Sequence, residues 1–295
     1  MPLDDTTPVP PAFTPGEEVL RAHHNRSPGR QSAGAASSFL PDGRTSYEAM
    51  ADLVAGAHRV LDLGCADGWL LELLAGRGVQ ELAGIDLSEQ ELALARRRPA
   101  LAYAELRHGR AQQLPWPDDS FDAVTAHMSL MLMDEVEQVI AEAARVLADG
   151  GRFAVAVGGG LVPGSVVELF FQIVGKYLKA VPRDRRPPRV GDKRTRSRDE
   201  LSELLSSAGF TLSYWEPSVV AWECASADEF WEQSENSLYG MELLAADQLA
   251  RLRAEFFESA ARLALPDGRL TGSMIVNISV AELAPAPIRT SPRST

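Results

Sequence analysis

The sequence predicts an α/β fold built on a doubly wound, mostly parallel sheet, and three observations carry that prediction. An apolar run, Val60-Leu61-Asp62-Leu63, breaks into the turn Gly64-Cys65-Ala66-Asp67-Gly68 and continues as a leucine-rich helical stretch. A second run, Glu81 to Ile85, ends in Asp86, 24 residues after Asp62. Short β-type runs then alternate with helical stretches to about residue 157, the pattern of parallel strands joined by right-handed crossovers.

Taken in order, residues 1–16 are proline-rich and 25–46 mix Gly, Ser, Arg and Pro without a period, so 1–45 reads as a partly disordered tail or flap. His23 and His24 fall in that flap or tail. Tyr47, Met50, Leu53 and Val54 mark an amphipathic helix leading into a first strand at 58–63. Leu70, Leu71, Leu73 and Leu74 form the helix after the glycine turn, and Ser88-Glu89-Gln90-Glu91 is a capping box that starts the next. A third strand is expected near 102–108 and a fourth at 121–126. The segment 134–147 puts Val136, Val139, Ile140, Ala143 and Leu147 on one helical face, with Asp134 as its cap and Gly150-Gly151 at its end. A fifth strand follows at 152–157, then helices at 164–181 and 199–208.

Composition narrows the function classes. A length of 295 residues accommodates one large domain with an elaborated lid, or one domain and a small appendage. The net charge of −12 opposes a general nucleic-acid role, since such proteins present positive charge to phosphates. Cys65 and Cys224 give neither a disulfide framework nor metal-ligand spacing, and no metal site is expected. The amino terminus lacks a basic region followed by an apolar core, and no stretch approaches the ~18 apolar residues of a membrane span. The expectation is a cytoplasmic protein without membrane partners.

Gly64 and Gly68 let the backbone turn sharply and approach a ligand, and the helix that follows offers unpaired N–H groups. Asp86, at the end of the second strand, can accept both hydroxyls of a ribose. The turn nevertheless departs from the dinucleotide fingerprint, because it reads Asp-x-Gly-Cys-x-x-Gly. With the stretches Gly109 to Val124 and Glu142 to Phe153, it resembles the class I S-adenosylmethionine (SAM)-dependent methyltransferases, the group that includes ubiquinone-biosynthesis and natural-product enzymes. The resemblance covers residues 45–160 closely.

What the resemblance implies is a Rossmann-like seven-stranded sheet, with 210–215 and 274–282 as the sixth and seventh strands. The domain would span 46–285, with 161–200 and 217–265 as substrate-side cap and lid and 286–295 as a disordered tail. SAM would be the cofactor and S-adenosylhomocysteine (SAH) its product. Asp62, Gly64 and Gly68, with Cys65 and Ala66 between them, would bracket the methionine moiety. Asp86 would hold the ribose and Leu87 would pack on adenine, with Tyr47 near the cofactor. The family usually has an acidic residue after Gly109, where this chain has Arg110, and arginine cannot accept a hydrogen bond. Adenine would then rest on backbone groups of Arg110 and Ala111 and on Gln112, with the Arg110 side chain in solvent.

His127, just past the fourth strand, is the candidate catalytic residue, as a general base with a pKa near neutrality; the alternative is that it touches the cofactor or lines the cavity. Met128 and Met131 would pack the acceptor pocket, and Trp69, Trp215, Trp222 and Trp231 would contribute an aromatic lining, unless they are core. The basic segment 183–198 is a solvated loop, a binder of an anionic acceptor or a nucleic-acid contact. The implied activity is methyl transfer from SAM to a small organic metabolite, anionic or aromatic, in bacterial secondary metabolism. The alternative is a SAM-binding protein of the same fold with a cyclisation or accessory role.

Overall fold

The computed structural model describes residues 13–235 and 240–285; the proline-rich start and the 286–295 tail lie outside them. Seven strands form one sheet: β1 (Arg59–Leu63), β2 (Glu81–Asp86), β3 (Glu105–His108), β4 (Phe121–His127), β5 (Leu147–Leu161), β6 (Phe210–Cys224) and β7 (Leu270–Leu283). Their order is β3-β2-β1-β4-β5-β7-β6. The first five run parallel, whereas β7 pairs antiparallel with both β5 and β6. This is the Rossmann-like architecture that the resemblance implies, with the parallel part that the alternation predicts.

Period-two alternation assigns each strand residue to a face. Leu61, Leu63, Phe153 and Val155 join a core under α6 (Val136–Val146) and α8 (Arg198–Ser207). Val60, Ala154 and Ala156 join the opposite core, under α3 (Ser46–Leu53), α4 (Trp69–Gly76) and α5 (Glu89–Ala95). A third core holds the cap: α7 (Val166–Ala180), α9 (Ala227–Glu235) and α10 (Ala246–Ala260) close around Phe170, whose ring contacts those of Phe230, Trp231 and Phe256 at 5.7, 5.8 and 5.5 Å.

Two expected boundaries move. β6 continues to Cys224, so 217–224 belongs to the sheet and the insertion before β7 is 225–269. Pro217 is tolerated there because β6 is an edge strand, where a missing ladder donor costs little. The flap region also contains two helices, α1 (Pro15–Arg26) and α2 (Arg30–Ala36). Thr14 caps α1 in a complete capping box with Glu17, and Pro15 occupies the first turn.

Candidate functional site

The carboxyl ends of β1, β2 and β4 converge on a cavity of about 80 Å³ whose floor is the glycine turn. The turn alternates into left-handed backbone at Gly64 (φ 70°), Ala66 (φ 46°) and Gly68 (φ 79°), and the amides of Gly64 and Cys65 both donate to Ile85 O, at 2.8 and 3.1 Å. A Cβ on Gly64 would lie 2.6 Å from Ser129 Cβ, so this glycine is required for close packing as well as for its φ. Gly68 differs from expectation: a Cβ there would meet Leu101 Cδ1 at 2.5 Å, and the cavity lining does not include it.

Asp86 accepts from Ala66 N at 2.9 Å through Oδ2 and from Ser88 N at 2.8 Å through Oδ1. A carboxylate has about four acceptor positions, so two remain, and Asp86 lines the cavity. Burial raises its pKa, opposed by the nearby His24 and the two backbone donors. Asp62 lies one strand over, 2% exposed, and accepts from Thr125 Oγ1 at 2.8 Å. Burial pushes it up to about 7, against that hydrogen bond, with the Asp86 charge adding. Among the described residues, no group of three His, Cys, Asp or Glu side chains gathers as a metal site.

The roof is α1, which places Glu17, Leu20, Arg21 and His24 on the cavity. Polar contacts fasten it along its length. Thr14 Oγ1 donates to Asp134 at one end; at the other, His24 Nδ1 and Gly29 N lie 3.3 and 2.8 Å from the two oxygens of the fully buried Glu91. Ser88 Oγ donates to Asn25 Oδ1 at 2.7 Å, and Ser32 Oγ on α2 to Asp67 Oδ1 at 2.5 Å. Burial works against the His24 charge, but Glu91 and Asp86 outweigh it and raise its pKa.

These contacts correct three expectations. Ser88 caps α5 through Glu91 N, but the Glu91 side chain does not return the bond, because it holds the roof instead. Asp134 does not cap α6; Glu135 (φ 51°) occupies that place without a side-chain bond, and Asp134 accepts from Thr14 and from Gly191 N at 3.2 Å. Arg110 does not point into solvent: its Nε lies 2.9 Å from Glu17 and its Nη2 2.7 Å from Glu135.

Of the sequence-predicted residues, Gly64, Asp86, Leu87, Ala111 and Gln112 line the cavity. Asp62, Cys65 and Ala66 are not in its lining. Tyr47 and His127 are buried and outside its lining, their rings stacked at 3.9 Å, and His127 Nε2 is 2.8 Å from Ser46 Oγ. Burial lowers the His127 pKa to about 3, which runs against the expected base poised near neutrality, and the ring is already hydrogen-bonded to Ser46.

Met128 and Met131 gather at the ends of β4 and β5, where Gly158 N donates to Met131 Sδ at 3.1 Å and Arg196 Nη1 donates to Gly158 O at 3.2 Å. The four tryptophans do not join them. Trp69 stacks under Arg98 at 4.9 Å, and Trp215 packs on the α6–α8 core. Trp222 lies across Gly272 of β7, and Trp231 is core of the cap, 2% exposed. Most of the basic segment is structural or solvent-facing: Arg194 pairs with Asp192 and Glu137, and Arg186 donates to backbone carbonyls of Val181 and Lys179.

This strand order, with a carboxylate at the end of β2, defines a Rossmann-like α/β fold. Comparison with known proteins sharpens that class. Residues 61–155 match the methyltransferase-domain family. The chain is 38% identical to the methyltransferase GfsG of Streptomyces halstedii over 35% of its own length and 38% of that protein. It is 30% identical to the demethylmenaquinone methyltransferase of Listeria welshimeri over 52% of its length and 70% of that enzyme. Among solved structures, the (4+2)-cyclase SpnF superposes with a TM-score of 0.55 at 22% identity, covering 94% of this chain and 99% of that one. The chain belongs to the class I SAM-dependent methyltransferase family.

Proposed function

We propose that this chain transfers a methyl group from SAM to a small organic acceptor, in secondary metabolism and in the cytoplasm. The observation that carries the reading is Asp86: a carboxylate at the end of β2, fixed by two backbone donors, with two acceptor positions left facing the cavity. A ribose diol matches that pair. The cavity residues fit the rest of the donor, with Leu87, Ala111, Leu132 and Met133 as apolar walls for a base. Asp62 is a buried carboxylate whose ionisation burial penalises, so a cationic donor group nearby would favour its charged form.

When bound, SAM supplies a methyl group already activated by its sulfonium, so the protein's task is positioning. Asp86 orients the ribose, the Gly64 turn fixes the 5′ side, and the apolar residues exclude water. His127, neutral and tied to Ser46, acts as a wall that fixes the end of β4. Arg196 supports an anionic acceptor: its guanidinium reaches the end of β5 and, among the described residues, pairs with no carboxylate.

The second reading is a SAM-binding protein with cyclisation or accessory chemistry, favoured by the burial of His127 and its hydrogen bond to Ser46. Calorimetric titration with SAH tests the cofactor assignment, and SAH release from SAM with acceptor present separates the two readings. Asp86→Ala should weaken SAH binding by about 2–3 kcal/mol; unchanged affinity removes Asp86 from the ribose site.

A further inference from the structure

We infer that Glu17, carried on the roof helix α1, is the acceptor that reads the amino edge of the donor's adenine. The inference rests on the cofactor reading above and follows from the sheet order. With the ribose at the end of β2, the 5′ substituent runs toward β1 and β4, where methyl transfer takes place. The base must therefore extend the other way, over the end of β3. There the cavity is bounded by Gly109, Ala111 and Gln112 below and by Glu17 and Leu20 above.

Adenine presents an exocyclic amine at that edge, which requires an acceptor. Arg110 has only donors to offer. Gln112 spends both amide protons, on Glu17 Oε1 at 3.1 Å and on Asp134 O at 2.7 Å. Both groups therefore fix the Glu17 carboxylate, which is only 2% exposed. Glu17 itself takes three donors, Arg110 Nε at 2.9 Å, Gln112 Nε2 at 3.1 Å and Thr14 N at 2.8 Å. Arg110 Nε lies 2.9 Å from both oxygens; counted as one donor, it leaves one of about four acceptor positions, on Oε2 beside Thr14 N. A bond to a carboxylate is about twice as strong as one to a neutral amide oxygen, which favours Glu17 over its competitor, Gln112 Oε1.

Glu17 thus converts the arginine after Gly109 from a loss into a support. Because Glu17 belongs to α1, base recognition also depends on the roof being in place.

The test compares calorimetric affinities of SAH and its 6-oxo analogue S-inosylhomocysteine for wild type, Glu17→Gln, Gln112→Glu and Asp86→Ala. Gln at position 17 keeps the capping box, and thermal melts check that each variant is folded. Wild type should prefer SAH by about tenfold or more, because a carboxylate repels the 6-oxo group. Glu17→Gln should bring the two ligands within about threefold, since an amide satisfies either edge, while Asp86→Ala should weaken both ligands equally. Measurable SAH binding with the same preference in wild type and Glu17→Gln overturns the inference and leaves the cofactor reading intact. So does a preference governed by Gln112→Glu alone. No SAH binding by wild type overturns both.

Discussion

The floor and the roof of the cavity are built in opposite ways. The floor is strand ends and a glycine turn, held by backbone amides on Ile85 O and Asp86 and by packing so close that a Cβ on Gly64 would collide with Ser129. The roof is one helix, held almost wholly by side-chain polar contacts to Asp134, Arg110, Gln112, Ser88 and Glu91. Backbone and packing constraints give a rigid surface, as the proposed ribose contact requires; side-chain contacts are individually modest. At about 80 Å³ the cavity is well below the ~300 Å³ at which ligand pockets begin.

The largest expected effect lies in the floor. Burial places the Asp62 pKa near 7, above the unfolded value of about 3.9, so between those limits the folded chain keeps a proton the unfolded chain has lost. The resulting stabilisation is full below about pH 4 and gone above about pH 7. Asp62→Asn should flatten that slope and raise stability at pH 8 by about 2–4 kcal/mol, measured by urea unfolding across pH. A slope that survives the substitution assigns it to another group.

Next comes the loss of SAH affinity in Asp86→Ala, a floor contact, set beside Glu17→Ala, a roof contact. The first should cost about 2–3 kcal/mol and the second about 1–2 kcal/mol, since Glu17 makes one bond where Asp86 makes two. Equal costs would erase the distinction between the walls. The smallest effect is expected at His127. With its pKa near 3, it does not titrate between pH 5 and 9, so single-turnover rates for wild type and His127→Gln should share one pH profile and differ by less than about fivefold. An inflection near neutrality that disappears in the variant would restore the general base.

The floor was legible in the sequence because its signals are local. Val60–Gly68 and Glu81–Asp86 each carry strand, turn and acidic residue within a few positions, and the 24-residue spacing ties them together. The roof was not, because its partners are distant: Thr14 reaches Asp134 across 120 residues and Glu17 reaches Gln112 across 95. One local sign was present, since Thr14-Pro15-Gly16-Glu17 is a capping box with proline in the first turn. The surrounding prolines masked it. Asp134 and Glu91 illustrate the same limit, because one looks like a helix cap and the other like a capping-box partner, and each is spent on the roof instead. The tryptophans carry no such local sign, because large aromatics suit a pocket and a core equally well: Trp231 and Trp222 pack in the cap, Trp69 and Trp215 on the two sheet cores.

Hydrogen exchange with and without SAH tests the two-walled site most directly. The account predicts that amides of the 64–68 turn and of α1, Pro15–Arg26, gain protection together on SAH addition, while α10 in the cap is unchanged. SAH binding detected by calorimetry with α1 exchange unaltered, or with protection confined to the cap, would contradict it.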